Sequence, residues 1–539
     1  MPEPQDPWDV VVVGAGSAGC VLAARLSEDP ACRVLLLEAG PRDVALMKPF
    51  GLSYYVDLSR FEWGYWSQPD PTRDQRRDHW RRGRVLGGSG SVNGMNYVRG
   101  SRADYDRWAA LGNAGWSADD VMPLFRDLER CEPGYRTPPD PAIRGLSGPL
   151  PVREVRDCHP LTEAFLAAAQ AAGFPRTPDF NGADQEGVGL GQFNQRRGLR
   201  MSSADAFLKP ALRRRNLQLV TGALVHRVTL EGGRARGVVY ARGGTLHSVR
   251  AARVVLCGGA INTPQILMLS GIGDAHALRA LGIDVVLDRP AVGRNLTEHP
   301  LIRPTYRVNR PTYSPSGGLP QKLAFLAKFL RSGQGPIATV TEALAFLRTA
   351  PEVPAPDIQL HLSLAGAVYS DEVTFYKGLR ILPTPSFSVF LNANHPHSRG
   401  CIRLASADPG AAPLIQPDLL ADERDLHTLV RGIGVLRRIV ATRPLADWVV
   451  EEVEPGAALV SPEALADYVR ARSGLSYHPC GTCRMGVDAL AVVTPGLAVR
   501  GVGDLWIADG SVMPTPISGN INAACMMIGE KLARQFARA

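Results

Sequence analysis

Residues 9–40 read "DVVVVGAGSAGCVLAARLSEDPACRVLLLEAG", and this order predicts a strand, a glycine turn, a helix and a second strand. The valines at 10–13 form a continuous β-branched run, which is typical of a parallel strand covered on both faces. A helix predicted over 17–28 would offer its N-terminal N–H groups to a phosphate. Glu38 ends the second strand, where its carboxylate can accept a hydrogen bond from a ribose 2′-hydroxyl. It would repel a 2′-phosphate, which disfavours NADP.

Three glycines form G-x-G-x-x-G between the first strand and the helix. Gly14 permits the tight turn, Gly16 lets the backbone approach a pyrophosphate, and Gly19 allows close helix–strand packing. Such a motif alone is a weak signal, but here the strand, helix, second strand and terminal acid follow in the required order. The stretch therefore predicts dinucleotide binding, without distinguishing FAD from NAD.

The composition excludes several other classes of protein. The chain has 539 residues and a formal net charge of +8, an excess too modest to indicate a nucleic-acid partner. The first residues show no basic segment followed by an apolar segment and a cleavage site, and no apolar run approaches the ~18 residues of a membrane span. The nine cysteines are scattered and odd in number, so a reducing cytoplasm is expected rather than a disulfide framework.

A second glycine-rich stretch lies at 76–100, where an arginine cluster is followed by a loop of small residues. The arginines are typical of a solvated surface, although they could also assist in holding phosphates. In the loop, Gly87, Gly88, Gly90 and Gly94 would let the backbone pass against a flat ligand.

The rest of the chain predicts two kinds of architecture. Residues 217–256 predict antiparallel strands, and 252–273 predict a second strand–glycine–helix unit far from the first. Residues 306–461 are richer in proline and alternate between strand-like and helical patterns. We therefore expect an α/β fold class: a Rossmann-like dinucleotide domain built from separated segments, plus an α+β substrate domain with an antiparallel sheet.

Near the end of the chain, 476–486 read "SYHPCGTCRMG". Cys480 and Cys483 with His478 would supply three metal ligands, but no second C-x-x-C or H-x₃₋₅-H follows, so no metal is expected. A redox dithiol would lack its usual βαβ context. Two small buried cysteines are the simplest interpretation, and the residue types alone leave a catalytic role for the histidine open.

Six blocks in order along the chain resemble the glucose–methanol–choline (GMC) family of flavoprotein oxidoreductases, and the resemblance is greatest to its bacterial choline-dehydrogenase-like and alcohol-dehydrogenase-like branch. The blocks are 9–40 above, "GRVLGGSGSVNGMNYVRG" (83–100), "GGAINTPQILMLSGIG" (258–273), "VGRNLTEHP" (292–300), "YHPCGTCRMG" (477–486) and "IADGSVMPTPISGNINAACMMIGEK" (507–531).

This resemblance implies FAD rather than NAD, with a second domain covering the flavin ring. The implied FAD-binding domain takes residues 1–155, 206–305 and 462–539, and the implied substrate domain takes 156–205 and 306–461. Some members attach FAD covalently to a histidine in the glycine loop, where this chain has Val92, so non-covalent FAD is expected. The residues expected to contact FAD are Gly14, Gly16, Gly19 and Glu38 at the ADP half, Val225 at the adenine, Gly87 and Gly88 in the glycine loop, Asn93 and Gly94 beside the flavin ring, and Asp509 and Gly510 near the phosphates and ribityl chain.

The same resemblance implies catalytic roles for His478 and Asn520. Counting back from the "IGEK" helix favours Asn520 over Asn522 as the partner of the histidine. Oxidation of an alcohol needs a base for the hydroxyl proton, which imidazole can supply near neutral pH. It also needs a donor to the developing alkoxide, which an amide can supply, while flavin N5 takes the hydride.

Contacts with the substrate are less well defined. Tyr477 adjoins the histidine, and Glu342 falls where choline-oxidising relatives place a carboxylate facing the quaternary ammonium. Glu342 could equally be an acid that supports the fold, since no aromatic residue suited to a cation–π contact is adjacent to it. A cluster of aromatic side chains could line the entrance or simply pack a loop. Its members are Tyr54, Tyr55, Phe61, Trp63 and Trp66.

The predicted function is FAD-dependent oxidation of a primary or activated alcohol to the aldehyde, with reoxidation by O₂ or a quinone-type acceptor. Choline dehydrogenase or oxidase is the first alternative. A flavin-containing lyase of the same fold, similar to a hydroxynitrile lyase, is the second, and a non-enzymatic flavin-binding protein is the third. A light-driven decarboxylase is disfavoured by the His–Asn pair. We expect a cytoplasmic location, or a peripheral one at a membrane if a quinone is the acceptor.

Overall fold

The computed structural model describes residues 7–51, 58–369 and 379–538. Its helices are α1 (Ser17–Leu26), α2 (Arg102–Ala110), α3 (Ala118–Leu128), α4 (Pro160–Ala171), α5 (Lys209–Ala211), α6 (Gly259–Leu269), α7 (Ala275–Ala280), α8 (Gly318–Ser332), α9 (Glu423–Val440), α10 (Pro462–Arg472) and α11 (Asn522–Arg538). Its strands are β1 (Trp8–Val13), β2 (Val34–Glu38), β3 (Tyr65–Trp66), β4 (His79–Trp80), β5 (Glu129–Cys131), β6 (Leu150–Glu154), β7 (Gly187–Leu190), β8 (Gln192–Phe193), β9 (Gln195–Arg196), β10 (Leu199–Arg200), β11 (Leu217–Thr221), β12 (Leu224–Glu231), β13 (Arg234–Arg242), β14 (Thr245–Leu256), β15 (Ile272–Gly273), β16 (Leu287–Asp288), β17 (Pro300–Ile302), β18 (Thr305–Val308), β19 (Thr341–Leu347), β20 (Ile358–Ser363), β21 (Ala367–Tyr369), β22 (Leu379–Ile381), β23 (Ser386–Ala393), β24 (Cys401–Arg403), β25 (Leu414–Gln416), β26 (Val449–Glu454), β27 (Gly474–Leu475) and β28 (Leu505–Ile507).

The first large sheet confirms the Rossmann-like prediction. Its strands run in the order β11-β2-β1-β14-β13-β12, and β28 also pairs with β14. The pairs β2–β1, β11–β2, β1–β14 and β14–β28 are parallel, whereas β12, β13 and β14 pair in antiparallel fashion as predicted. The antiparallel prediction for 217–256 is wrong at β11, because this strand extends the parallel sheet beside β2. Because these strands come from residues 8–38, 217–256 and 505–507, one sheet is assembled from separated parts of the chain.

The core of this sheet explains why the valine run forms a strand. Val10, Val11 and Val12 are fully buried, as expected for a parallel strand covered on both faces. One face is covered by α1, against which the C-terminal helix α11 packs closely. A Cβ on Gly529 of α11 would lie 2.5 Å from the carbonyl oxygen of Ala18, so only glycine allows this approach.

The second large sheet confirms the predicted antiparallel α+β part. Its strands run in the order β26-β18-β23-β20-β19-β7, and β17 pairs with both β23 and β27. This sheet extends beyond the predicted substrate-domain segments 156–205 and 306–461, since β17 and β27 lie outside them. The domain limits therefore stay a prediction. No helix in residues 7–51, 58–369 and 379–538 is both long and apolar enough to cross a membrane.

Candidate active site

The three glycines of the first turn have three different environments. Gly14 has φ +102°, and a Cβ there would lie 2.5 Å from the carbonyl oxygen of Cys257. A Cβ on Gly19 would lie 1.9 Å from the carbonyl oxygen of Gly14, so this glycine is required for helix–strand packing. Gly16 is open, with its nearest neighbour at 4.0 Å. The position predicted to face a pyrophosphate is therefore the one that keeps free space.

Glu38 closes the same turn from the end of β2. One carboxylate oxygen accepts from the backbone N–H of Ala15 at 2.9 Å, and the other accepts from that of Gly40 at 2.8 Å. Burial raises the pKa of Glu38 to about 7, against the opposing effect of these two hydrogen bonds. Glu38 is thus held at the edge of a cleft by the backbone of the turn.

A cleft brings together residues of all three separated segments. Of the predicted FAD contacts, those that line it are Gly14, Gly16, Glu38, Gly88, Val225, Asp509 and Gly510. Gly19, Gly87, Asn93 and Gly94 are not part of its lining. Pro479 and Ile521 also line the cleft, and they are the chain neighbours of His478 and Asn520. The nucleotide cleft therefore reaches the predicted catalytic pair.

The glycine loop packs directly on the first turn. The N–H of Gly87 donates to the carbonyl of Ala15 at 2.7 Å, and a Cβ on Gly88 would lie 2.8 Å from the Cα of Gly16. Asn93 does not point its oxygen at the cleft, because that oxygen accepts from Nη1 of Arg200 at 2.6 Å. Its neighbour Gly94 is exposed. These two predicted contacts therefore lie at the edge of the site.

Asp509 joins the C-terminal segment to the second strand–glycine–helix unit. Its carboxylate accepts from the N–H of Gly259 at 2.8 Å, the hydroxyl of Thr263 at 2.6 Å and the N–H of Ser511 at 2.8 Å. Burial raises the pKa of this carboxyl group. Asp509 thus holds the start of α6 and the adjacent Gly510 at the wall of the cleft.

His478 is buried, and both ring nitrogens have partners. Its Nε2 lies 3.0 Å from Nδ2 of Asn520, and its Nδ1 lies 3.0 Å from Nδ1 of His299. The backbone N–H of His478 donates to the carboxylate of Glu298 at 2.8 Å. Asn522 is used elsewhere, since its side-chain oxygen accepts from the hydroxyl of Ser17 at 2.6 Å. The structure therefore brings Asn520, rather than Asn522, to the histidine.

A chain of side-chain amides determines which nitrogen of His478 is the base. Nδ2 of Asn392 donates to Gln359 at 3.4 Å, and Nε2 of Gln359 donates to the oxygen of Asn520 at 3.3 Å. With its oxygen engaged in this way, Asn520 presents its NH₂ group to His478. This amide orientation favours the tautomer with the lone pair on Nε2 and the proton on Nδ1, which faces Nδ1 of His299.

The surroundings keep this imidazole neutral. Burial lowers the pKa of His478 well below its usual range, and the nearby His299 and His361 lower it further. Burial likewise lowers the pKa of His299 to about 4, so both rings are neutral at neutral pH. A neutral imidazole with a lone pair on Nε2 can accept a proton from a hydroxyl group.

The two cysteines of the C-x-x-C sequence are packing residues in this structure. Cys480 and Cys483 are fully buried in the main hydrophobic core, and burial raises the pKa of both thiols. A thiol in such a setting is unreactive. Among the residues that the structure describes, no group of three or more His, Cys, Asp or Glu side chains could hold a metal ion.

Glu342 is 2% exposed, and its side chain is bonded within the protein. Its carboxylate accepts from the N–H of His159, the hydroxyl of Thr162 and the hydroxyl of Tyr313, each at 2.7 Å. These contacts tie the start of α4 to β19, which favours the fold-supporting alternative.

Tyr477 is 41% exposed, and its carbonyl accepts from Nη2 of Arg82 at 2.6 Å.

The aromatic cluster has mixed positions. Tyr54 and Tyr55 lie outside the described residues. Phe61 is buried, Trp63 stacks on Tyr65 at 5.6 Å between ring centroids, and Trp66 is 42% exposed. Of the aromatic residues in the cluster, Trp63 lines the nucleotide cleft.

Sequence reasoning missed four residues of the site. Glu298 and His299 lie in the block at 292–300. This block contributed to the family resemblance, but no role was predicted for its individual side chains. Arg82 comes from the arginine cluster and lines the cleft, so this partly exposed arginine belongs to the site. Gln359 lies on β20 with no motif around it, and no signal in the sequence marks it.

Comparison with known proteins identifies the family of the chain. Two family models described as GMC oxidoreductase match residues 8–301 and 396–529. The chain is 42% identical to the mitochondrial choline dehydrogenase of Homo sapiens, over 98% of this chain and 90% of that protein. It is 40% identical to the oxygen-dependent choline dehydrogenase of Sinorhizobium fredii, over 97% of this chain and 94% of that protein.

Solved structures with the same fold extend the comparison. Pyridoxine 4-oxidase from Mesorbium loti superposes with a TM-score of 0.88 at 32% identity, covering 99% of each chain. An FAD-dependent oxidoreductase from Chaetomium thermophilum superposes with a TM-score of 0.89 at 25% identity, covering 98% of this chain and 99% of that one. From these full-length matches we conclude that the chain belongs to the GMC oxidoreductase family and that FAD is its cofactor.

Proposed function

We propose that the protein oxidises a primary or activated alcohol to the aldehyde, with His478 as the base. The observation that carries the proposal is the orientation of its imidazole. A neutral ring is held with the Nε2 lone pair toward Asn520, beside residues that line the nucleotide cleft.

The cleft has the features that FAD requires. Gly16 is the one glycine of the first turn with space for a ligand, and Glu38 stands at the end of β2 for the ribose. We infer that the seven predicted contacts that line the cleft hold the cofactor, with Asn93 and Gly94 at its edge, and that Gly19 and Gly87 shape the turn and loop behind it. Bound FAD supplies the acceptor for the hydride that leaves the alcohol carbon. Because Val92 offers no nucleophile, we propose that FAD is bound without a covalent link to this loop.

The chain's own residues manage the proton. The alcohol oxygen would lie where it can donate its proton to Nε2 of His478 and accept from the NH₂ group of Asn520. His299 lies 3.0 Å from Nδ1 and, by accepting from Nδ1–H, would maintain the tautomer that keeps the lone pair on Nε2. Without substrate this lone pair faces the NH₂ group of Asn520, which would turn to the alcohol oxygen when substrate binds. As the proton moves to Nε2 and the hydride leaves the carbon, the C–O bond becomes the carbonyl of the aldehyde.

Choline is a second candidate substrate, supported by the names of relatives that share about 40% identity with this chain. The geometry of Glu342 gives no support to the predicted counter-charge, since three donors already occupy its carboxylate. We therefore propose the general alcohol chemistry first and choline as one member of the class. Either O₂ or a quinone-type acceptor would complete the cycle.

The test is anaerobic mixing of the purified yellow protein with a panel of alcohols that includes choline. At least one primary alcohol should bleach the flavin absorbance and yield the aldehyde, and readmission of O₂ or of a quinone dye should restore the colour. If no alcohol bleaches the flavin while a cyanohydrin is cleaved, the protein is a lyase and the proposal is wrong.

A further inference from the structure

Helix α8 carries a stripe of leucines that faces solvent. Leu319, Leu323, Leu326 and Leu330 are 67%, 56%, 44% and 75% exposed, respectively. Their spacing of four, three and four residues places them on one face of the helix. No residue of α8 is buried, so the whole helix lies on the surface. A contiguous exposed apolar stripe of this kind marks an interaction surface.

The opposite face of α8 attaches the helix to the protein. The ring of Phe325 packs edge-on against Tyr313 at 5.7 Å between centroids. The amide of Gln321 donates to the backbone carbonyl of Ser314 at 3.1 Å, and Lys328 forms an ion pair with Asp157 at 2.9 Å. Because the anchoring side chains lie on this face, the leucines point away from the body of the protein.

Positive charge borders the leucine stripe. Lys322 and Arg331 are exposed on either side of it, and the sequence of α8, "GLPQKLAFLAKFLRS", contains no acidic residue. Within residues 7–51, 58–369 and 379–538, neither of these two cations has an ion-pair partner on the protein. The exposed face is therefore apolar at its centre and basic at its edges.

A neighbouring hairpin extends the basic border. β9 and β10 are joined at Arg197 and Gly198, and a Cβ on Gly198 would lie 2.5 Å from the carbonyl oxygen of Gly333, at the end of α8. Arg196 and Arg197 are exposed at this hairpin. Neither has an ion-pair partner among the described residues, so both are available to an external anion.

We propose that this face of α8, with the tip of the β9–β10 hairpin, docks on an anionic phospholipid surface. Leucines at the centre would enter the acyl boundary, and the lysine and arginine side chains would contact phosphate headgroups. Self-association through the same face fits less well. A two-fold contact would bring the basic borders of two copies together with no acidic residue on the helix to compensate them.

The proposed surface is connected to the cofactor cleft. Arg200, on the hairpin strand β10, donates to the carbonyl of Gly90 at 3.3 Å and to the side chain of Asn93 at 2.6 Å. Both acceptors belong to the glycine loop that packs on the nucleotide turn. The hairpin thus contacts α8 at one end and the FAD-binding loop at the other, so the docked face adjoins the FAD site.

The experiment is cosedimentation of the FAD-loaded protein with vesicles. Binding is expected to equimolar phosphatidylglycerol and phosphatidylcholine, and to weaken with pure phosphatidylcholine or added salt. The double variant Leu323→Ser/Leu330→Ser should bind the anionic vesicles about 10²-fold more weakly, because two apolar side chains are lost from the buried face. The matched control is Leu246→Ser/Leu490→Ser, which removes two leucines that are 62% and 61% exposed on other elements and should bind normally.

A second variant tests the charge. Lys322→Glu/Arg331→Glu should weaken binding to the anionic vesicles by at least about tenfold, because it reverses both borders of the stripe. FAD content and melting temperature should match those of the unmodified protein in all three variants. The proposal is overturned if the protein does not bind anionic vesicles, or if the control loses as much binding as Leu323→Ser/Leu330→Ser. It is also overturned if the serine variant converts a lipid-free dimer into a monomer, since the occupant would then be a second copy of the chain.

Discussion

Replacement of His478 by alanine should abolish fast flavin reduction while the protein stays folded and yellow. The side chain makes two contacts, at 3.0 Å to Asn520 and at 3.0 Å to His299, and neither partner is part of the cleft lining. The backbone N–H at this position still donates to Glu298 in the variant. Folding and FAD binding should therefore survive the loss of the imidazole.

The size of the effect follows from the role of Nε2. A positioned general base contributes about 10²–10⁴-fold, so the rate of reduction by an alcohol should fall by that factor. The loss should shrink at high pH, where hydroxide or ionised substrate partly replaces the base. In the unmodified protein the pKa of His478 lies well below its usual range, so protonation of the base should slow reduction only at a pH well below ~6.5, the pKa of an unperturbed imidazole.

Asn520→Ala should slow reduction by about 10–10³-fold, because it removes a donor to the alkoxide and leaves the base in place. Cys480→Ser and Cys483→Ser serve as controls in the same loop as the histidine, and both should reduce at nearly normal rates if folded. The assay is anaerobic stopped-flow reduction of all four variants by one alcohol, with FAD content measured for each. A near-normal rate in His478→Ala, or a collapse in a folded, FAD-loaded cysteine variant, would refute the assignment.

Three further predictions concern the cofactor and the substrate site. Because Val92 offers no nucleophile, acid or heat should release the flavin into the supernatant, and colour that stays with the precipitated chain would contradict this. Gly16→Ala should fold but hold FAD at least about tenfold more weakly, since its Cβ would occupy ligand space, whereas Gly19→Ala should fail to fold stably because its Cβ would meet a carbonyl oxygen at 1.9 Å. Equal FAD affinity in Gly16→Ala and the unmodified protein would show that the pyrophosphate lies elsewhere. Glu342→Gln should lower the free energy of unfolding by about 1–3 kcal/mol, because the NH₂ group of the new glutamine would face a donor and leave that donor without an acceptor. The value of kcat/KM should change little for any alcohol. Should kcat/KM for choline alone fall by about 10–10²-fold instead, Glu342 is the counter-charge and choline is the substrate.

Local sequence was sufficient to predict the first strand, the glycine turn and the second strand of the nucleotide-binding domain. The valine run of β1, the glycine turn and the acid at the end of β2 are set by short-range sterics and by burial, both of which leave periodic or positional signals in the chain. The predicted helix over 17–28 ends at Leu26 in the structure, a difference at one terminus only. The antiparallel strands β12 to β14 were likewise recognisable from their alternation and their glycine turns, whereas the parallel pairing of β11 with β2 was not.

The site was predicted only where motifs mark it. His478 and Asn520 follow from two blocks of resemblance, but the partner that orients the histidine does not. His299 reaches it because residues 297–300 pair in antiparallel fashion with 475–480, through Pro300 opposite Leu475 and Thr297 opposite Cys480. A register between segments about 180 residues apart has no local sequence signal.

The sequence by itself determined that the chain forms a dinucleotide turn, that its cofactor domain is assembled from separated segments, and that one histidine and one asparagine are candidates for the chemistry. The turn and the separated segments depend on residue type and spacing, which the chain displays directly, whereas the histidine and the asparagine were indicated by resemblance to a known family. Only the tertiary structure decided that Glu342 is occupied by three donors, and that Gln359 orients the amide of Asn520. It also decided that the leucines of α8 face solvent rather than the core. Burial and hydrogen-bond partnership are properties of contacts between distant segments, and the same amphipathic pattern can face a core or a solvent-exposed surface.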